Sequence, residues 1–319
     1  MRGKVRDVIA LILLVLPVAG CSAAVLDGAR DDAGFSISGQ APASVTSGSG
    51  AATLENGSAA FASLPFVRSS PEVVAPFPLV LNETVQHYVD SYLSQPQGLE
   101  SSFRRSNPYM AEMVSVLQNH GLPKDLVYLT FAESAFTDTG AGPWQLSRET
   151  ARRFGLTINR WVDERRDPIK STRAAAAYLA TLHDEVGDDW RMTLVAWNNG
   201  EGGVDRYRDL QDVSYELLVR RLPERTRELL NRFMAVALIA RHSREYGMQE
   251  AAGTTVRDYR VIPVKGGTQL STIAEVNHTS VWMLHFLNPG LLRDAVPPAE
   301  SYAVRVPSEG RDGQLLKTL

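Results

Sequence analysis

The sequence predicts a mainly α fold: a helical body followed by a small α+β unit. Three observations carry this. Between residues 83 and 246 apolar residues recur at helical spacing, in segments punctuated by Gly and Pro. No stretch of that region alternates apolar and polar residues as a strand does. From Arg257 the pattern changes. YRVIPV (259–264) and YAVRVP (302–307) alternate, and two short helical stretches lie between them.

The chain has 319 residues, enough for two folded domains at most once its low-complexity part is set aside. Its net charge is −3, and no basic block or Lys/Arg stripe appears, which argues against nucleic-acid binding. The N-terminus places Arg2, Lys4 and Arg6 before an apolar run, Val8 to Leu16, that is too short to span a bilayer. Small residues follow, then Cys21, the only cysteine, so no intramolecular disulfide can form. Val18-Ala19-Gly20-Cys21 resembles a bacterial lipobox, in which the cysteine is lipidated and becomes the mature N-terminus. The competing reading is an ordinary secretory signal cleaved near Ala24. Ser22 after the cysteine implies, by the same resemblance, outer-membrane retention. Residues 22–75 are rich in Ala, Ser, Gly and Thr without a period and read as a flexible linker.

The helical body starts with ETVQHYVDSYL, where Val85, Tyr88, Val89 and Tyr92 share a face and Pro96 and Gly98 end the helix. PYMAEMVSVLQNHG is a second amphipathic helix with Met110, Met113, Val114 and Leu117 inward and Gly121 as its stop. GLPKDLVYLTFAESAF has Pro123 near its first turn and is largely buried through Leu126, Val127, Leu129 and Phe131. Glu133 falls near its end. SRETARRFG is a short helix capped by Ser147. A strong helix runs from about Ser171, with Ala174–Ala177 permitting close approach. DDWRMTLVAWNN ends in a Gly-rich turn, and the helix after Pro223 is expected to be the longest, with Leu229, Leu230, Phe233, Met234, Ala237 and Leu238 as its stripe. These faces suffice to bury one core.

Three short motifs remain: Glu133-Ser134 at a helix end, Gly142-Pro143-Trp144-Gln145 in a turn, and Trp197-Asn198-Asn199-Gly200-Glu201-Gly202 in a second turn. Their order and spacing resemble the lysozyme-like lytic transglycosylases of glycoside hydrolase family 23, which cleave peptidoglycan. The resemblance also takes in GLPKDLVYLTFAESAF, RRDPIKSTRAAAAYL and LPERTRELLNRFMA. It implies a lysozyme-like catalytic domain over 76–250. The strand–helix–helix–strand unit at 255–310 resembles a LysM peptidoglycan-binding module, with a packing appendage as the other reading. Residues 1–21 are then the lipoprotein signal.

A glycosidase generally needs one acid for the leaving oxygen and a second carboxylate on the other face. The resemblance implies a single acid, Glu133. The N-acetyl group of the N-acetylmuramic residue attacks the anomeric carbon of the MurNAc-GlcNAc β-1,4 bond. Its 6-hydroxyl then displaces it to give a 1,6-anhydromuramyl end. Glu133 acts first as acid, then as base. Burial among Leu129, Phe131 and Trp144 is expected to raise its pKa. The same resemblance places Ser134, Gln145, Tyr178, Trp197 and Asn198 against the saccharide. For Ser134 a capping role competes, and for Tyr178 a core position with its hydroxyl at the rim. Trp144 is expected to pack under the loop, and Glu201 to hold the Gly-rich turn.

This chain departs from the family's pattern at three places. Only AFTDTGA separates the Glu-Ser from the Gly-Pro-Trp-Gln, several residues fewer than usual. Trp197 stands where a Tyr is usual, and Leu229 where another Tyr faces the acid. A catalytically weakened glycan-binding or scaffold lipoprotein is therefore the alternative. A hydrolytic lysozyme is a third reading, with Asp138 as its nearest candidate second carboxylate. The six histidines show no metal-ligand spacing, so no metal and no cofactor are expected. The partners expected are peptidoglycan glycan strands and the outer membrane through a lipid on Cys21. The protein is expected to be a monomer facing the periplasm.

Overall fold

The computed structural model describes residues 75–137, 140–248, 259–298 and 301–308. The signal segment with Cys21, the linker up to residue 74, and Asp138 lie outside the described residues.

Helix α1 (Glu83–Ser94) starts where the Asn82 side chain accepts from the Val85 N–H at 2.9 Å. Helix α2 (Pro96–Asn119) follows directly, with Pro96 in its first turn. The sequence places a helix start at Pro108, yet α2 passes through that proline. An interior proline costs about 3 kcal/mol. Against this, the earlier turns bury Leu99, Ser102 and Ser106. Arg105 on the same stretch donates to the carbonyls of Ala135 and Phe136 at 2.6 and 3.1 Å. Tertiary burial and these bonds outweigh the local signal.

A 3-10 turn (Lys124–Tyr128) runs into α3 (Leu129–Ser134), which ends at two residues in the left-handed region, Ala135 (φ 52°) and Phe136 (φ 54°). Helix α4 (Arg148–Arg153) is capped by Ser147, whose hydroxyl oxygen accepts from the Thr150 N–H. Helix α5 (Pro168–Val186) begins three residues before Ser171. Asp167 caps it by accepting from the N–H groups of Ile169 and Lys170, and Pro168 occupies the position where a missing N–H costs nothing. Helix α6 (Trp190–Asn199) is capped in the same way by Asp189. Short α7 (Glu201–Val204) and α8 (Tyr215–Arg221) precede α9 (Glu224–Arg241). At 24 residues α2, not α9 with 18, is the longest helix among the described residues.

The core of the helical body centres on α9, where Leu230, Phe233, Met234 and Val236 are buried. Phe77 lies edge-on to Phe233 with ring centroids 4.9 Å apart. Buried Asp125 ties the ends together: it accepts from the Phe77 N–H at 3.2 Å and pairs with Arg241 at 2.8 Å.

Strand β1 (Tyr259–Lys265), helices α10 (Leu270–Val276) and α11 (Val281–Leu287), and strand β2 (Ser301–Pro307) form the C-terminal unit. The strands pair antiparallel from Tyr259↔Pro307 to Lys265↔Ser301. This unit has its own small core of Val264, Leu270, Leu284, Val296, Val304 and Val306, but Val162 of the helical body is part of it. Backbone bonds join the two: Asp163 N–H to the Gly290 carbonyl and Leu292 N–H to the Trp161 carbonyl, both 2.9 Å. Arg305 of β2 forms a buried ion pair with Asp167.

Candidate active site

Glu133 occupies the last turn of α3 and keeps only part of its surface open. Its Oε1 accepts from the Trp197 indole N–H at 2.7 Å. Its Oε2 has no hydrogen-bond partner among the described residues. Burial raises its pKa above the usual carboxylate value; the Trp197 bond and the charges of Arg225 and Arg232 on α9 pull the other way without cancelling it. A carboxyl in this setting is more often protonated near neutral pH than a surface glutamate, which is what a proton donor requires.

The surrounding wall is aromatic. Trp197 packs tilted against Tyr178 (5.5 Å) and edge-on to Trp144 (5.9 Å). Tyr178 in turn lies against Phe154 at 5.2 Å. Trp144 is fully buried, and its indole N–H donates to Thr172 Oγ1 at 2.9 Å. It packs beneath the turn and reaches no solvent.

The turn that carries Trp144 is held from three sides. Ser134 Oγ lies 2.9 Å from the Pro143 carbonyl and 3.0 Å from that of Thr130, so it staples the acid's helix to the turn. Gly142 has φ 74°, and a Cβ there would fall 1.9 Å from the Arg165 carbonyl oxygen. Only glycine fits. Arg165, paired with Asp163 at 2.7 Å, donates to the Leu146 carbonyl at 3.0 Å.

Residues 117–214 match the family model described as the transglycosylase SLT domain. Residues 258–312 match a second model, the LysM-like domain of lytic transglycosylase MltD. The membrane-bound lytic murein transglycosylase D of Escherichia coli (strain K12) is 27% identical over 247 residues, 75% of this chain and 54% of that protein. The chain thus spans about half the length of that relative. A protein of Alteromonas sp. (strain M-1) named for tributyltin chloride resistance is 35% identical over 121 residues, 36% of this chain and 58% of that one. The X-ray structure of an inactive mutant of lytic transglycosylase Slt from Pseudomonas aeruginosa aligns with 24% identity over 44% of this chain and 25% of that one, at a TM-score of 0.36, too slight to carry any argument.

Within the matched stretch Glu133, Trp197 and Tyr178 come together, although they lie up to 64 residues apart. The one polar atom of the Trp197 side chain is engaged by Glu133. Tyr178 is buried on its ring, and burial raises its pKa with help from Glu201. Its hydroxyl makes no hydrogen bond among the described residues. Asn198 accepts from Thr226 Oγ1 at 2.9 Å through its amide oxygen, and its NH2 makes no hydrogen bond among the described residues. Gln145 is exposed at φ 48° and folds back to donate to the Gly142 carbonyl at 2.6 Å, so it shapes the turn. Leu229 is buried on α9. Glu201 pairs with Arg153 at 2.6 Å, linking α7 to α4 beside Tyr178.

Sequence reasoning missed three contributors. Arg225 and Arg232 act on Glu133 through their charge alone, and Thr226 sets the orientation of Asn198. The spacing Arg225–Leu229–Arg232 on one helix face was the signal available for the first two. Among the described residues no group of three side chains could hold a metal ion.

Proposed function

We propose that this chain is a lytic transglycosylase that cleaves the MurNAc-GlcNAc β-1,4 bond of peptidoglycan and leaves a 1,6-anhydromuramyl end. The observation that carries the reading is Glu133 itself: a half-buried carboxyl with a raised pKa, one oxygen engaged and the other open, inside a matched SLT domain. Glu133 protonates the leaving oxygen. The substrate's own N-acetyl group attacks the anomeric carbon, so no second carboxylate is needed. Glu133, now a carboxylate, takes the proton of the 6-hydroxyl as that oxygen displaces the N-acetyl group. The Tyr178 hydroxyl and the Asn198 NH2 have free hydrogen-bonding capacity and are assigned to the saccharide. Ser134 and Gln145 are assigned to holding the turn.

The cell envelope is the site of action in this reading, since the E. coli relative is named as membrane-bound. No helix among the described residues is long and apolar enough to cross a membrane. A lipid on Cys21 would supply the attachment, with the folded part a monomer in the periplasm behind its linker. The test is incubation of purified peptidoglycan sacculi with the full chain, followed by mass spectrometry of the released fragments. Anhydromuramyl ends are expected. Reducing ends would mean hydrolysis, and intact sacculi with bound protein would mean a binding protein that lacks the chemistry.

A further inference from the structure

The two oxygens of Glu133 are not equivalent. Oε1 faces the Trp197 N–H at 2.7 Å, and Oε2 faces no donor or acceptor among the described residues. An indole nitrogen donates and cannot accept. A proton placed on Oε1 would point at another proton. A protonated Glu133 therefore keeps Oε1 as the carbonyl oxygen and carries its hydrogen on Oε2. A tyrosine hydroxyl can donate or accept, so it would leave the choice of oxygen open.

The indole has little freedom to turn away. Tyr178, backed by Phe154, leans on it at 5.5 Å, and Trp144, tied to Thr172, meets it edge-on at 5.9 Å. These rings belong to α5, to the end of α4 and to the turn after Glu133, so the brace comes from elements other than α6. We propose that Trp197 is a positioning residue that fixes the acidic proton of Glu133 on Oε2, the oxygen left open for the leaving group. The inference rests on Glu133 being the proton donor. The charged groups that bear on Glu133 are Arg225 and Arg232 from α9; from α5 Tyr178 faces the same site, with the Arg153–Glu201 pair beyond it. A change at Trp197 leaves all of these in place.

The test has a spectroscopic arm and a kinetic arm. In the native chain one indole 15N–H resonance is expected to titrate with pH and to stop titrating in E133Q. In W197F the phenyl ring keeps the brace but no donor remains. The protonated-carboxyl C=O stretch of Glu133, read as the infrared difference against E133Q, is then expected at higher wavenumber, because its carbonyl loses a hydrogen bond. The titration midpoint of Glu133 moves upward. Anhydromuramyl release by W197F is expected to fall about tenfold on its plateau while its alkaline limb moves up in pH. A uniform loss with an unmoved limb would indicate packing alone and overturn the proposal. So would a native protein in which no indole resonance titrates, a result that needs no variant to fold. If the spectroscopy holds and no anhydromuramyl product forms, the proposed activity fails and the positioning stands. If product forms but the C=O stretch is the same in W197F, the reverse is true.

Discussion

Replacing Arg305 by Met removes a charge that joins the two parts of the molecule. The guanidinium and Asp167 are both buried, with side-chain exposures of 12% and 4%. Burial works against the charge on Arg305, and Asp167 more than reverses it. Losing Arg305 leaves Asp167 with only the two cap donors, Ile169 and Lys170 N–H, both on Oδ1. It also frees the Leu287 carbonyl, which now accepts from Arg305 at 3.2 Å. Breaking one side of a buried pair costs about 3–5 kcal/mol. The remaining cap donors and the helix N-terminus favour the lower end, about 3 kcal/mol. For a folded region of this size that is a fall in Tm of roughly 6–12 °C. Calorimetry or far-ultraviolet circular dichroism at pH 7 reads it. Adding Asp167→Asn should restore part of the loss, because the orphaned charge is gone. A single-variant change under about 2 °C would refute the reasoning and place Asp167 in contact with water.

Four further outcomes are expected. Glu133→Gln should abolish sacculus cleavage with the fold kept, since the amide matches the volume but cannot give a proton; turnover above background would remove Glu133 from the chemistry. Burial raises the pKa of Glu133, so the stability of its protonated form is present in acid and lost as pH rises through the folded-state value. The Gln variant should therefore melt near the native protein at pH 4 and above it at pH 8, as seen by calorimetry. Gly142→Ala should cost roughly 2–5 kcal/mol through left-handed strain and displacement of the Arg165 backbone, and a Tm within about 2 °C of native would contradict the close approach. Cys21→Ala should shift the protein from the membrane to the soluble fraction, and unchanged partitioning of a protein whose mass differs only by the substitution would end the lipid-anchor reading.

The helical body was legible because its apolar faces repeat locally: Val85 with Val89, and Leu230 with Phe233 and Met234, are buried as their spacing implies. Capping at Ser147 was equally plain. Gly142 read as part of a turn, and its φ is positive. The reason Gly142 admits nothing larger, the Arg165 carbonyl, lies 23 positions along and was not legible. Pro108 misled because a proline rule is local, while the burial that overrides it is not. The start of α5 is encoded by Asp167-Pro168, a capping residue followed by a first-turn proline, three residues ahead of the expected start at Ser171. At the site, motif order pointed to Glu133 and its neighbours but not to which atoms meet. The Trp197–Glu133 bond spans 64 positions and the Arg305–Asp167 pair 138, and no periodic pattern encodes either.

The backbone pairing of residues 161–163 with 290–292 also constrains how such a chain can diverge. Gly290 lies with its hypothetical Cβ 3.3 Å from the Asp163 carbonyl oxygen, and Val162 fills the core of the neighbouring unit. A side chain gained at 290, or a smaller or polar one at 162, would be felt on both sides of the junction at once. These two short stretches should therefore drift together among descendants of this sequence, each change in one selecting a compensating change in the other. Exchange of the C-terminal unit for one from a distant relative would have to carry the 159–163 segment along with it.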